Sequence, residues 1–372
     1  EVSPTLTYSA AGQGREGPSM SRWERLLEIA SRSPLLVAAG AATTVLLSRS
    51  LLRALTAGGR RGKTLVIKVP ATTANLSCGF DAFGAALGMH MLLEATAAPE
   101  QAGTCFSYEG EGANEVALDE SNIIWRSAVA CAAMYAPGRQ MPKLRVQVKN
   151  PVPFGRGLGS SATAIIAGVV LAKEFLGLNL TQEQLLNAAL TIETHPDNLS
   201  AALWGGMTVS CVNEKGESFV RSFGISKKLK AVVVVPDFQL ATSKAREVLP
   251  ASYKLQDVVF NIQRAGLLPL ALQDETPDVK MIRECMRDRV HQNQRAPLVP
   301  GLEDCLKLPS TSGSSSLIST ALSGAGPTII AFCQGEFDDI GRKMQETLRS
   351  KGISSRYFVL PFSCQGTQVQ WI

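Results

Sequence analysis

The sequence predicts a chain of mixed helices and strands, folded as two packed units behind an N-terminal segment of different character. Three observations carry this expectation. At 372 residues the chain exceeds the roughly 250–300 at which a single core stops growing. A hydrophobic share of 45% with 19% charged and 6% aromatic residues belongs to a globular protein, which excludes a disordered or collagen-like chain. β-Rich runs that stop at proline are interspersed with apolar stretches of helical length, and the character of the sequence changes near Ser226-Lys227-Lys228.

The N-terminal segment comes first. From Ile29 to Lys63 there is no acidic residue, while Arg32, Arg49, Arg53, Arg60 and Arg61 punctuate a Ser/Ala/Thr/Leu-rich text. This is the composition of an organelle-targeting leader, expected over residues 1–62. Its apolar run, Leu35 to Leu47, has 13 residues, short of the roughly 18–20 that span a membrane. A transit segment therefore fits better than the alternatives, a membrane anchor or a helical extension packed on the body. The net charge of +5 sits wholly in residues 1–63, with nine Lys/Arg against four Glu, so the remainder is formally neutral. A body without basic excess argues against a nucleic-acid partner. Eight cysteines (78, 105, 131, 211, 285, 305, 333, 364) form no CxxC pair, and histidines 90, 195 and 291 are far apart, so no zinc-site spacing exists. Such thiols are expected to pack as small hydrophobes in a reducing compartment.

In the body, Leu65 to Val69 reads as a strand ending at Pro70. Leu144, Val146 and Val148 alternate with polar residues, as on a half-buried strand. Ser161 to Leu176 reads as a helix closed by Gly177, and Thr181-Gln182-Glu183-Gln184 as a capping box ahead of a helix through Ile192. Ala231 to Val235 is a continuous apolar strand stopped by Pro236. Pro309 to Ser316 is expected as a solvated low-complexity loop, followed by a strand over Thr328 to Cys333 and a helix over Asp338 to Ser350.

Four segments carry chemistry. Pro151 to Ala162, PVPFGRGLGSSA, follows a strand and opens the long helix; its glycines at 155, 157 and 159 let backbone amides approach a ligand, and Ser160 and Ser161 add hydroxyls. Such a turn aims unpaired N–H groups and a positive helix end at an anion. It has neither the GK[ST] ending of a Walker loop nor a dinucleotide GxGxxG turn, and taken alone it could simply cap its helix. Glu193-Thr194-His195-Pro196-Asp197-Asn198 gathers two carboxylates, an imidazole and an amide within six residues, expected at the end of a helix. Such groups are costly to bury together unless they serve a cation or ligand, the alternative being a solvated helix end. Pro70 to Gly88 brings Asn75 and Asp81 into a strand-to-loop passage of small residues. Ser323-Gly324-Ala325-Gly326-Pro327 is a second glycine turn before a strand.

Together, PATTANL…GFDAFG, PxxxGRGLGSSA, ExHPDN and LSGAGPT resemble, in this order, the GHMP kinase superfamily, and within it the homoserine kinases, over roughly Lys63 to Leu360. The resemblance implies an α+β, two-domain fold: a nucleotide-binding domain at 63–226 and a ferredoxin-like domain at 227–372, with the site between them. It implies phosphoryl transfer from ATP to L-homoserine, the step that activates homoserine for threonine synthesis. ATP would lie on Pro153, Gly155, Arg156, Gly157, Leu158, Gly159, Ser160, Ser161 and Ala162, with Ser161 and Glu193 holding Mg²⁺. Asn75, Asp81, His195 and Asn198 would bind the acceptor. Thr242, Arg246 and Arg295, from elements resembling the family's T-x-x-A-R and H-x-x-x-R, would meet its carboxylate, guanidinium being suited to paired bonds. Asp197 matches the position of a catalytic base elsewhere in the superfamily, although phosphoryl transfer is mostly positioning and charge stabilisation. The resemblance also implies a plastid location after removal of the leader, with the cytoplasm as alternative, and no membrane insertion of the mature enzyme; it leaves a homodimer open. Two departures stand out: Ser77-Cys78-Gly79-Phe80-Asp81 where the family reads GPGFD, and Leu199-Ser200-Ala201-Ala202 where it reads VAPA. The rival readings are another small-molecule kinase of the superfamily and a non-catalytic ligand binder on the same fold.

Overall fold

The computed structural model describes residues 62–372. The leader expected at 1–62, with its apolar run, lies outside the described residues apart from Gly62. The described chain begins with β1 (Thr64–Ala74), β2 (Phe83–Ala97), β3 (Cys105–Gly110), α1 (Ile123–Tyr135) and β4 (Leu144–Asn150). Helices α2 (Ser160–Phe175), α3 (Gln182–Leu190) and α4 (Pro196–Trp204) follow, then β5 (Met207–Val212) and β6 (Ser218–Phe223). The second half runs β7 (Lys230–Pro236), α5 (Thr242–Glu247), α6 (Leu255–Gln273), α7 (Val279–Cys285), α8 (Gln292–Arg295), α9 (Leu302–Thr311), β8 (Leu317–Leu322), β9 (Ile329–Cys333), α10 (Phe337–Arg349), β10 (Ser355–Pro361) and β11 (Gln368–Trp371).

Two sheets result. The first has seven strands in the order β11-β1-β2-β4-β3, with β5 joined to the start of β2 and β6 to β5; only the β3–β4 pair is parallel. The second is a four-stranded antiparallel sheet ordered β10-β7-β9-β8, the split βαββαβ of the ferredoxin-like plan. The last strand, β11, leaves the second half of the sequence and pairs with β1, so a division by sequence position alone does not separate the sheets.

The alternation of Leu144, Val146 and Val148 seats these residues beside Leu65, Ile67 and Leu93 under Ile165, Ile166 and Val169 of α2. Almost every residue of α2 is buried, which is why it reads as apolar all round. A second cluster joins Leu76, Phe83, Leu87 and Met207 to Val233, Val235, Ile330 and Phe332, welding the two sheets through apolar contact. The capping box at α3 forms as expected, with Thr181 Oγ1 accepting from the Gln184 amide and Gln184 Oε1 from the Thr181 amide.

Two expectations need correction. His195-Pro196-Asp197-Asn198 does not end a helix; it opens α4, where Pro196 occupies the first turn, a position at which the missing N–H costs nothing. Residues 309–311 are not loop but the last turn of α9, in which Leu302, Cys305 and Leu308 bury one face. Pro309 cannot donate to the carbonyl four residues back, that of Cys305, and the Thr320 hydroxyl donates to it instead at 2.9 Å. Among the described residues no helix is long and apolar enough to cross a membrane.

Candidate active site

The loop between β4 and α2 is held on both sides. Asn150 fixes its start, its side-chain oxygen accepting from the Val152 amide at 3.1 Å and its Nδ2 donating to Glu111 at 3.0 Å. At its centre the Gly157 carbonyl accepts from Ser323 Oγ at 2.6 Å, and the Leu158 carbonyl from the Thr72 amide at 3.1 Å. Gly159, with φ of 70°, turns the chain into α2; a β-carbon there would sit 1.9 Å from Thr72 Oγ1. Only glycine fits this turn, which leaves the first amides of α2 without a carbonyl ahead of them and facing the hollow.

That hollow spans about 640 Å³, open solvent at its mouth included, and is lined by Phe154, Gly155, Arg156, Gly157, Gly159, Ser160, Ser161 and Ala162 on one side. Glu193, Asn198, Leu240, Thr242 and the turn Gly324-Ala325-Gly326 form the other. A second hollow, about 330 Å³ with the solvent at its mouth included, shares Glu193, Asn198, Thr242, Gly324 and Ala325, and adds Asn75, Asp81, His195, Asp197, Arg246 and Arg295. Residues far apart in sequence thus converge on two adjoining chambers.

Not every expected residue reaches them. Pro153 and Leu158 lie off the walls, both buried, Leu158 fully in the core between the sheets. Ser323 is spent on the seam, bonded to Thr73 and Gly157. Arg156 lines the first hollow, but its guanidinium donates to the carbonyls of Phe154, Pro236 and Asp237 and so braces the loop.

The second hollow is dense in charge. Asp81 Oδ1 meets Arg246 Nη2 at 2.5 Å, while Arg246 Nε is buried without a hydrogen-bond partner. Arg295 is no surface arginine: 1% exposed, it donates to the carbonyls of Ala245 at 2.9 Å and Gly324 at 3.2 Å. Burial, and after it the neighbouring Arg246, lowers its proton affinity. Asp197 is buried at the start of α4 and accepts from the Asn198 amide at 2.6 Å. Burial, helped by the Asp81 and Glu193 charges, pushes its carboxyl up to about 7 against the opposing pull of that amide and of Arg246. Burial also raises Glu193, opposed by a hydrogen bond with the Ser161 hydroxyl and by Arg246. His195 is lowered by burial and by Arg246, which favours its neutral form. Asn198 is anchored by Thr72 Oγ1, which donates to its side-chain oxygen at 2.7 Å.

The turn carrying Asp81 departs from expectation in an instructive way. Asn75, Leu76 and Ser77 all have left-handed φ, 68°, 42° and 65°, and Asp81 follows at 58°. Ser77 thus stands in a conformation that favours glycine. Its hydroxyl accepts from Gln292 Nε2 at 3.2 Å and its carbonyl is 2.8 Å from His291 Nε2, contacts that hold the turn. Cys78 is 5% exposed and its thiol is pushed up to about 12 by burial, so it is an inert packing residue.

Three supporting residues escaped the sequence reading. Phe80 stacks on His291 at 5.2 Å and lies under the guanidinium groups of Arg246 and Arg295, at 5.3 and 5.1 Å. Asp288 accepts from the amides of Val290, His291 and Gln292 and from Asn261 Nδ2, so it shapes the turn that delivers Arg295. Its signal was an Asp just ahead of a polar helix start, the ordinary form of a side-chain cap. Thr72 was visible only as one of two threonines in PATTANL.

A divalent cation fits the donor set. Among the described residues no group of three or more His, Cys, Asp or Glu could cage a metal. The Ser161–Glu193 pair at the wall shared with the loop offers two oxygen ligands, the sparse protein share that Mg²⁺ takes when phosphates and water complete its shell.

The fold and the loop-and-helix hollow define a GHMP kinase, and the family models agree: GHMP kinases N terminal domain matches residues 122–206 and GHMP kinases C terminal matches 268–350. The homoserine kinase of Schizosaccharomyces pombe is 37% identical over 82% of this chain and 98% of its own length. That of Deinococcus radiodurans is 39% identical over 83% of this chain and 97% of its own. The chain belongs to the homoserine kinase family. The crystal structure of homoserine kinase from Cytophaga hutchinsonii superposes with a TM-score of 0.71 at 26% identity, covering 82% of this chain and 97% of that one. The mevalonate kinase of L. major, at 16% identity and a TM-score of 0.60, shares the fold.

Proposed function

We propose that this ATP-dependent kinase transfers the γ-phosphoryl group of ATP to the hydroxyl of L-homoserine, giving O-phospho-L-homoserine and ADP. The observation that carries the substrate is the orphaned Nε of Arg246, a buried cationic donor beside Arg295 and opposite Asp81. An amino acid would satisfy both signs, its carboxylate on the arginines with Thr242 as a neutral donor and its ammonium on Asp81. A sugar acceptor would leave this donor unpaired, and mevalonate, which has a carboxylate but no ammonium, would leave Asp81 unmatched; either is costly in a buried site.

In this reading the amides of α2's first turn, with Gly155, Gly157, Gly159 and Ser160, hold the ATP phosphates. Ser161 and Glu193 would hold Mg²⁺, which when bound neutralises charge on the transferring phosphoryl group. Asn198, fixed by Thr72, stands at the boundary of the two chambers and aligns acceptor and donor. Asp197 in its ionised form takes the hydroxyl proton, and His195 narrows the acceptor chamber. Residues 63–226 supply the nucleotide side and residues 227–372 the arginines. Residues 1–62 are assigned as a targeting leader to an organelle, the plastid. ADP release measured with homoserine, mevalonate, galactose and no acceptor tests the activity: homoserine alone should stimulate it, and equal rates with all four would sink the proposal.

A further inference from the structure

Among the histidines of the described residues only His291 is wholly buried. It stands at the N-cap of α8, one turn ahead of Arg295, and lines neither chamber. Its partners decide which nitrogen carries the proton. The Ser77 carbonyl, 2.8 Å from Nε2, can only accept, and Arg295 Nη1, 3.4 Å from Nδ1, can only donate. The ring is therefore neutral, with its proton on Nε2. Burial lowers its affinity for a second proton and Arg295 adds to this, against the pull of Asp288 and Asp81. The Asp288 carboxylate, 3.8 Å from Nε2, is too far for a hydrogen bond and is taken up by the amides of His291 and Gln292. Phe80 stacks on the imidazole with 27° between the planes and so limits its rotation.

The two nitrogens reach the two signs of charge in the acceptor chamber. On the Nε2 side is the turn from Asn75 to Asp81, closed by Asn75 Oδ1 accepting from the Asp81 amide at 3.0 Å. On the Nδ1 side is Arg295, whose donors are nearly all spent: Nε on Ala245, Nη1 on Gly324 and His291. Its Nη2 makes no hydrogen bond within the described residues and is not a sealed, orphaned atom, so it is the nitrogen left to meet what enters the chamber. A planar guanidinium held at Nε and Nη1 has little freedom about its last bonds, and those contacts therefore aim Nη2. The Gly324 carbonyl also accepts from Asn75 Nδ2 at 2.8 Å. Imidazole and carbonyl thus form two struts between the same two pieces, the turn that carries Asp81 and the guanidinium of Arg295.

We propose that His291 is a positioning residue: its neutral ring sets the separation of Asp81 and Arg295 and so fits the chamber to an acceptor bearing ammonium and carboxylate on one carbon, the choice of acceptor resting on the homoserine reading above. The test compares three variants of the full chain. His291→Asn puts a side-chain oxygen near the place of Nδ1, where it can accept from Arg295; His291→Gln puts an amide nitrogen near the place of Nε2, where it can donate to Ser77; His291→Leu does neither. His291→Leu should melt at lower urea and raise KM for homoserine about tenfold, the loss of one bond to a charged group, with KM for ATP little changed. His291→Gln should melt near wild type yet keep the raised KM, while His291→Asn should melt low yet bring KM back to within about threefold of wild type. A histidine that only supports the fold moves stability and KM together, so Gln with a wild-type KM, or Asn no better than Leu, overturns the proposal. The ring is read separately in wild type labelled with ¹⁵N-histidine: the signal lost in His291→Asn should be neutral and protonated on Nε2 from about pH 6 to about pH 8. A proton on Nδ1, or on both nitrogens, overturns the proposal whatever the acceptor. Should homoserine fail to stimulate the wild type, the kinase reading falls, and the ring signal and the three melts still decide whether His291 ties Ser77 to Arg295.

Discussion

Burial and two neighbouring carboxylates hold Asp197 protonated up to about pH 7, and this has two separable consequences. In the proposed role of base it must be ionised, so kcat/KM for homoserine should rise with pH through about 7 and then level; Asp197→Asn should remove that limb. For stability the sign is the opposite of the usual carboxylate. Its native affinity for protons is raised, so the folded state loses stability as pH climbs from about 4 to about 7 and stays flat above. Urea melts of Asp197→Asn should therefore be flatter over that window and show a variant more stable than wild type at pH 8. Arg246→Leu should raise KM for homoserine roughly 30-fold with KM for ATP little changed, since removing one partner of a buried pair costs about 2–5 kcal/mol. An unchanged KM would place the carboxylate elsewhere. Glu193, His195, Asp197 and Asn198 were legible because they stand within six residues and their types have few uses together. Phe80 and Asp288 were not: a phenyl ring and a capping carboxylate occur everywhere, and their work of aiming Arg246 and Arg295 appears only once distant segments meet.

At the scale of elements, helices with local signals were read within a residue or two: α2 by its apolar run and α3 by its capping box. Local reading failed where a partner supplied what the segment lacked. Pro309 argued for a loop, and nothing near it in sequence announced that Thr320 would satisfy the freed carbonyl of Cys305. Thr320→Val should therefore destabilise the fold by about 1–3 kcal/mol, the cost of one buried acceptor left unmet, with ATP kinetics unchanged. Equal melting of variant and wild type would show that the bond contributes nothing. The same logic applies to the turn at Ser77, where a residue disfavoured by its φ of 65° is kept by bonds to Gln292 and His291. Ser77→Ala keeps the unfavourable conformation, loses the hydroxyl, and should cost about 1–2 kcal/mol by chemical denaturation.

For the whole molecule, the change of composition near Lys63 was plain in the sequence, and a chain begun at Arg61 should be soluble and fully active. Loss of activity in a truncated protein that still folds would assign the preceding residues to the enzyme. Less legible was the role of the far end. Gln368 to Trp371 is too short to read as a strand, yet it pairs with Leu65 to Lys68 and sets Trp371 edge-on against Phe175 of α2 at 5.2 Å. During synthesis that pairing is the last to become available: Leu65 leaves the ribosome roughly 300 residues before Trp371. At about 5–20 residues per second the newborn first sheet spends roughly 15–60 s with one flank open. For that interval β1 offers unmet backbone groups to any passing strand. The nascent chain, rather than the finished enzyme, is thus where this protein is most exposed to mispairing and most in need of a chaperone's cover.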